Sequence, residues 1–230
     1  MPAAGPGASL ALPRAAETHE LVIVSDVICP WCYVGQKQLE QAFAATGLAS
    51  RFKVIWQPYE LNPTMPPEGV DRRVYRTRKF GSLEHSQMLD ARVAAAGRRA
   101  GIEFRHDLML RTPNTIKAHR LVWLAGQEGV QDAVVDALFR AYFIEGRDVG
   151  ETAVLTEVAV ATGMDQSRVA GFLDSDAGAD EVRREAQSAL RAGIAGVPTF
   201  ILDGEPVFSG AVGAEVIAAH LGDVAKTNPR

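Results

Sequence analysis

The sequence predicts an α/β fold whose sheet-forming part is interrupted by a large all-helical insertion, and three observations carry that prediction. A short apolar, β-branched run from Leu21 to Val27 leads directly into a helical pattern. Helical patterns punctuated by glycine then follow one another from about residue 70 to 192. Strand signals return only at Thr199, so the two ends of the chain must share one sheet across the insertion.

Taken in order, the first element is a buried strand over Leu21 to Asp26, and the second is a helix from Pro30 to Ala45 that ends near Gly47. Phe52, Val54 and Trp56 alternate with Lys53, Ile55 and Gln57, the period of a strand reaching about Glu60. Pro63, Pro66 and Pro67 cannot continue that strand and mark a connection. The helical block reads as segments near 70–80, 83–99, 115–127, 131–145, 151–162, 166–173 and 178–192, with Ser82 and Asn114 as N-caps of two of them. Thr199 to Leu202 and Pro206 to Phe208 flank the hairpin dipeptide Asp203-Gly204, and a last helix covers about Ala214 to Leu221.

With the helical block set aside, the order is βαβ then ββα, a thioredoxin-like arrangement. The expected division is a disordered N-terminal extension over 1–18, thioredoxin-like parts over 19–62 and 191–225, and a helical insertion domain over 63–190.

Composition narrows the function classes. At 230 residues, 47% hydrophobic and 23% charged, the chain can bury a substantial core and has the make-up of an ordinary globular protein. A formal net charge of -4 gives no electrostatic footprint for nucleic acid or an anionic membrane. No apolar run approaches the roughly 20 residues that a membrane span needs. Met1 to Glu17 lacks the basic start and apolar core of a secretory signal, so the cytoplasm is the expected compartment. The basic cluster Arg72, Arg73, Arg76, Arg78 and Lys79 reads as a solvated helix face rather than a binding patch.

The chemistry lies in Cys29, Pro30, Trp31 and Cys32. These are the chain's 2 cysteines, and random placement would set two at this spacing only about one time in a hundred. At a strand-to-helix junction such a pair is a redox motif. Cys29 sits where unpaired backbone N–H groups and the helix dipole favour a thiolate, and Pro30 suits the first helical position, whose N–H would lack a partner anyway. Cys32, one turn in, is expected to be more buried and less acidic. Cys29 is therefore the nucleophile and Cys32 the resolving thiol, with Trp31 and Gly35 shaping the lip.

A zinc site would need two more ligands, and His19, His85, His106, His119 and His220 include no pair at finger spacing. No metal is expected, and an inert buried pair is the other weaker reading. Asp26, three residues before Cys29, is either a turn carboxylate or a proton-handling acid, and both readings stand. His119 shares a helical face with Ile116 and Trp123, the pattern of a core histidine. A strand-opening proline such as Pro198 is ordinarily trans.

The run Ser25 to Gly35 resembles the active-site segment of the DsbA family of thiol oxidoreductases, in its FrnE-like branch. Asn62-Pro63, Asn114-Thr115, Ala118-His119-Arg120-Leu121, Leu138-Phe139, Ala141-Tyr142-Phe143, Gly193-Ile194 and Gly196-Val197-Pro198-Thr199-Phe200 resemble that branch too, from about residue 20 to 222. The resemblance implies a thioredoxin fold with an inserted helical domain. It implies a cis Val197-Pro198 bond facing Cys29, with Val197 lending backbone groups to an extended substrate. It also makes His119 and Asn114 candidate cleft residues, since this family sets that helix over the active site. Exported members carry a buried acid where this chain has Ile23, and Asp26 is the acid offered instead.

The expected function is dithiol-disulfide oxidoreductase or isomerase activity on protein or small-thiol disulfides, without a bound cofactor and with glutathione as a candidate redox partner. The chain would act as a monomer or homodimer. The alternative is a glutathione-dependent enzyme of the kappa-class transferase and hydroxychromene-carboxylate isomerase type, which has serine where Cys29 stands. A third reading is a non-catalytic redox-sensing interaction protein.

Overall fold

The computed structural model describes residues 18–227, so the extension expected over 1–18 lies, save for Thr18, outside the described residues. The first part comprises strand β1 (His19–Ser25), helix α1 (Pro30–Thr46) and strand β2 (Phe52–Pro58). The long middle part opens with β3 (Val70–Asp71), α2 (Arg72–Phe80), α3 (Leu83–Arg99) and β4 (Arg111–Thr112). It continues with α4 (Ile116–Gln127), α5 (Gln131–Phe143), α6 (Thr152–Ala161), α7 (Gln166–Asp174) and α8 (Ala179–Arg191). The chain closes with β5 (Thr199–Leu202), β6 (Glu205–Ser209) and α9 (Ala214–Val224).

The strand order is β2-β1-β5-β6: β1 runs parallel to β2 and antiparallel to β5, and β6 pairs antiparallel with β5. Ile23, buried in mid-strand, sits opposite Phe200. Residues at opposite ends of the chain thus form adjacent strands, the thioredoxin-like arrangement with a helical block between its halves.

Local chemistry explains the boundaries. Cys29, with extended backbone, occupies the N-cap of α1 and Pro30 follows at its first turn, while Gly47 ends the helix with φ of 67°. Ser82 caps α3 by accepting from the His85 N–H at 3.1 Å. Asn114 acts one residue earlier than expected: Thr115 holds the N-cap position of α4, and Asn114 Oδ1 accepts from the Ile116 N–H at 3.0 Å. β1 starts two residues before its apolar run because His19 is anchored by Asp203 at 2.6 Å and stacks on Phe52.

One apolar core runs from the sheet into the helical block. Tyr33, directly after Cys32, stacks on Phe139 and Phe143 of α5 at 5.1 and 6.0 Å between ring centroids. Gln131 seals the β2 edge, its side chain accepting from the Trp56 N–H and donating to the Trp56 carbonyl. Trp56 Nε1–H donates to Asp132 at 2.8 Å. These contacts fix the orientation of α5 against β2.

Candidate active site

β1 and α1 position the two cysteines. The strand ends at Ser25, and the Cys29 N–H closes a turn on the Asp26 carbonyl at 2.9 Å. Cys29 is 4% exposed and Cys32 fully buried, and both are free thiols, while Trp31 between them is 38% exposed. Burial first, and then the hydrogen bond and charge of Cys29, push the Cys32 thiol well above its ordinary range, against smaller opposing pulls from the Ser25 hydroxyl and the Asp26 backbone. The pair is asymmetric: a thiol at the cavity wall and a second that resists ionisation behind it.

Opposite them runs the loop before β5. The Val197-Pro198 peptide is cis, and Cys29 Sγ donates to the Val197 carbonyl at 3.6 Å. Gly35 lets this loop approach, since a Cβ there would meet the Pro198 ring at 3.1 Å and the Phe200 ring at 3.4 Å.

Asp26 takes the turn-carboxylate role. Its Oδ1 accepts from the Ile28 N–H at 3.2 Å and its Oδ2 from the Leu61 N–H at 2.7 Å, so it ties the cysteine loop to the segment after β2. It also stands 3.6 Å from His119 Nε2, and both side chains are buried. Within the described residues Asp26 is the most buried carboxylate. Glu60 stands in the same field: burial pushes its carboxyl up, with His119 pulling it down and Asp26 adding to the rise.

A cavity of about 480 Å³ opens beside Cys29. Pro30, Trp31, Gly196 and Val197 form one wall; Arg72, Tyr75, Arg76, Lys79 and Phe80 of α2 with Asp90, Arg92 and Val93 of α3 form the other. This corrects two expectations. The basic cluster does not lie wholly in solvent, because the short β3–β4 pairing turns α2 so that Arg72, Arg76 and Lys79 face the cavity, leaving Arg73 exposed. His119 and Asn114 do not line this cleft, because α4 packs behind the cysteine loop rather than over it. His119 is buried against Asp26, and Asn114 borders a separate cavity of about 280 Å³ with Glu60, Ile116 and Arg183.

Sequence reasoning missed Arg120, which is buried and donates to the carbonyls of Ala177, Phe172 and Ser175 at 2.8, 2.6 and 2.6 Å. Its place between His119 and Leu121 was the available signal, since a guanidinium on a buried helix face needs acceptors. Among the described residues no cluster of His, Cys, Asp and Glu is arranged to hold a metal ion, and no helix is long and apolar enough to cross a membrane.

Comparison with known proteins places this geometry in context. The family model described as the DSBA-like thioredoxin domain matches residues 20–222. A Bacillus subtilis (strain 168) protein, the uncharacterized YwbO, is 26% identical over 210 residues, covering 91% of this chain and 98% of that one. The crystal structure of the probable DsbA oxidoreductase SCO1869 from Streptomyces coelicolor is 34% identical, with 89% of each chain covered and a TM-score of 0.81. A 2-hydroxychromene-2-carboxylate isomerase is similar in fold, at a TM-score of 0.69 and 17% identity over 90% of this chain and 96% of that one.

Proposed function

Because the chain belongs to the DSBA-like thioredoxin domain family, we propose that it is a dithiol-disulfide oxidoreductase or isomerase that exchanges disulfides through Cys29 and Cys32. The observation that carries this reading is the placement of Cys29 at the start of α1, 3.6 Å from the Val197 carbonyl and at the wall of an open cavity, with Cys32 buried one turn behind.

The steps follow from the asymmetry. The Cys29 thiolate attacks one sulfur of a substrate disulfide, forming a Cys29–substrate disulfide and releasing the other sulfur as a thiolate that takes up a proton. Cys32 then loses its proton and attacks the Cys29 sulfur, closing the Cys29–Cys32 bridge and releasing the second thiol. Two electrons have passed from protein to substrate, and the reverse sequence oxidises a substrate dithiol. Burial of Cys32 lets a mixed disulfide persist long enough for the substrate to react elsewhere, as isomerisation requires.

Pro30 sets the start of α1, Trp31 forms the lip, Asp26 holds the loop, and Val197 with Pro198 forms the surface along which an extended substrate would lie. The motif resemblance supports the FrnE-like branch. The cytoplasm is the compartment proposed for this chain. Glutathione is proposed as a redox partner rather than a bound cofactor, and the working unit as a monomer or homodimer.

The glutathione-dependent transferase or isomerase reading is the weaker one, since the thiol of Cys29 stands where that group has serine and the likeness to the isomerase is one of fold alone. The deciding experiment is reduction of insulin or refolding of a scrambled disulfide protein. Activity is expected in the wild type and absent in Cys29→Ser; full activity in Cys29→Ser, or glutathione conjugation that survives loss of both cysteines, would overturn the proposal.

A further inference from the structure

The wall facing Cys29 across the cavity carries four cations, Arg72, Arg76, Lys79 and Arg92, against one carboxylate, Asp90. Asp90 is already engaged, 3.0 Å from Arg72 and 2.6 Å from Arg76. It cannot neutralise more than one of them. The Lys79 ammonium has only neutral partners among the described residues, the Tyr75 hydroxyl at 2.6 Å and Asn62 Oδ1 at 3.2 Å. Arg92 also lines the cavity and is exposed, with no ion pair or hydrogen bond among the described residues.

His106 faces the same space. Burial holds its imidazole below the ordinary range, against the pull of Asp90, so at neutral pH it leaves the balance unchanged. The cavity therefore concentrates positive charge in a chain whose formal net charge is -4.

We propose that this cavity selects small disulfides bearing carboxylate groups, the anion held by Lys79 and Arg92 while a disulfide sulfur meets Cys29. Its volume of about 480 Å³ lies in the roughly 300–1,000 Å³ range of small-molecule sites. A folded protein could present only a flexible loop to it. Phe80 and Val93 in the same lining supply apolar surface suited to the methylene carbons that separate a carboxylate from a disulfide. Charge recognition then acts at one end of the substrate and sulfur chemistry at the other. The exchange itself is the balanced sequence given above, with the reduced protein as the electron donor, so one turnover needs no further reductant.

This inference rests on the exchange reading, and the test separates the two. Pre-reduced protein is mixed with three disulfides under single-turnover conditions: 3,3′-dithiodipropionate (anionic), 2-hydroxyethyl disulfide (neutral) and cystamine (cationic). Loss of protein thiols is followed, and each rate constant is divided by that of dithiothreitol with the same disulfide, which removes intrinsic sulfur reactivity. The normalised rates are expected to fall from anionic to neutral to cationic, with about a tenfold preference for the anion over the neutral compound at low salt that shrinks as ionic strength rises.

Lys79→Gln combined with Arg92→Gln should lower the anionic-to-neutral ratio several-fold. Arg98→Gln combined with Arg99→Gln, an equal loss of charge at exposed sites at the far end of α3, should leave that ratio where it is. Equal normalised rates for the three disulfides, or a ratio unmoved by the double variant, would overturn the selectivity and leave the exchange reading intact. Failure of all three disulfides to oxidise the Cys29–Cys32 pair would overturn the selectivity, and the same failure with insulin would overturn the exchange reading itself.

Discussion

His119 Nε2 lies 3.6 Å from Asp26 Oδ1, both side chains are buried, and no hydrogen-bond partner reaches that nitrogen among the described residues. The pair sits directly behind the cysteine loop. Asp26 is also the acceptor for the Ile28 and Leu61 N–H groups, so one carboxylate joins three segments.

Asp26→Asn keeps the size of the side chain but offers one oxygen where two N–H donors need acceptors. A buried donor left without a partner costs about 1–3 kcal/mol. Denaturant unfolding should show a loss of about 2 kcal/mol, and an unchanged midpoint would contradict this role for Asp26.

Cys32 gives a pH dependence of definite sign. Its thiol holds its proton more tightly in the folded protein than in the unfolded chain, so the native state binds more protons once pH passes the ordinary thiol value. The stability of the reduced protein should therefore fall as pH rises above about 9, with a slope of up to about 1.4 kcal/mol per pH unit from this group. Tyr142, also pushed up by burial, acts in the same direction. The difference between wild type and Cys32→Ala isolates the cysteine, and parallel stability curves for the two proteins would refute the assignment.

Cys32→Ser should stop the reaction after its first step, since the hydroxyl cannot close the bridge. Mass spectrometry of the variant after exposure to a disulfide should find one substrate thiol attached at Cys29. Release of that adduct at the wild-type rate would show that Cys32 is not the resolving thiol.

Gly35→Ala tests the packing of α1 against the opposing loop. The added methyl would meet Pro198 at 3.1 Å and Phe200 at 3.4 Å, and crowding of this kind costs about 1–3 kcal/mol. The gain in helix propensity, about 1 kcal/mol, offsets part of it. Unfolding should show a net loss of about 1 kcal/mol, accompanied by a several-fold slower exchange rate as the Val197 surface is displaced from Cys29; a stabilised variant with wild-type rates would refute the contact.

Arg120→Met should be the most damaging of these changes to the helical block. It would leave the carbonyls of Phe172, Ser175 and Ala177 without the guanidinium that now gathers them, and hydrogen bonds to a charged group are worth about 1.5–3 kcal/mol. A loss of about 3 kcal/mol is expected by calorimetry or denaturant unfolding. A loss below about 1 kcal/mol would mean that solvent replaces the guanidinium.

How much was legible in the sequence depended on the range of the interaction. α3 could be read to its ends because Ser82 and the apolar period are local signals. The cysteine motif and its helix were legible for the same reason. β3 and β4 were not, because two residues make no period and their pairing joins segments forty residues apart in the chain. The basic face of α2 could be seen, but the direction it faces is set by that pairing and by Asp90 on α3. His119 shows the same limit, since its helical face identifies it as buried while its partner Asp26 lies on another element.

The sheet order has a consequence for synthesis. β1 and β2 leave the ribosome before the helical block and can pair with each other, whereas β5, which flanks β1 on its other side, is made only after that whole block. During that interval the nascent chain carries both thiols of the motif but lacks the Val197 wall. The reactive centre is thus completed only once the helical block has been translated, and a product truncated within that block would retain the cysteines without the surface that presents a substrate to them.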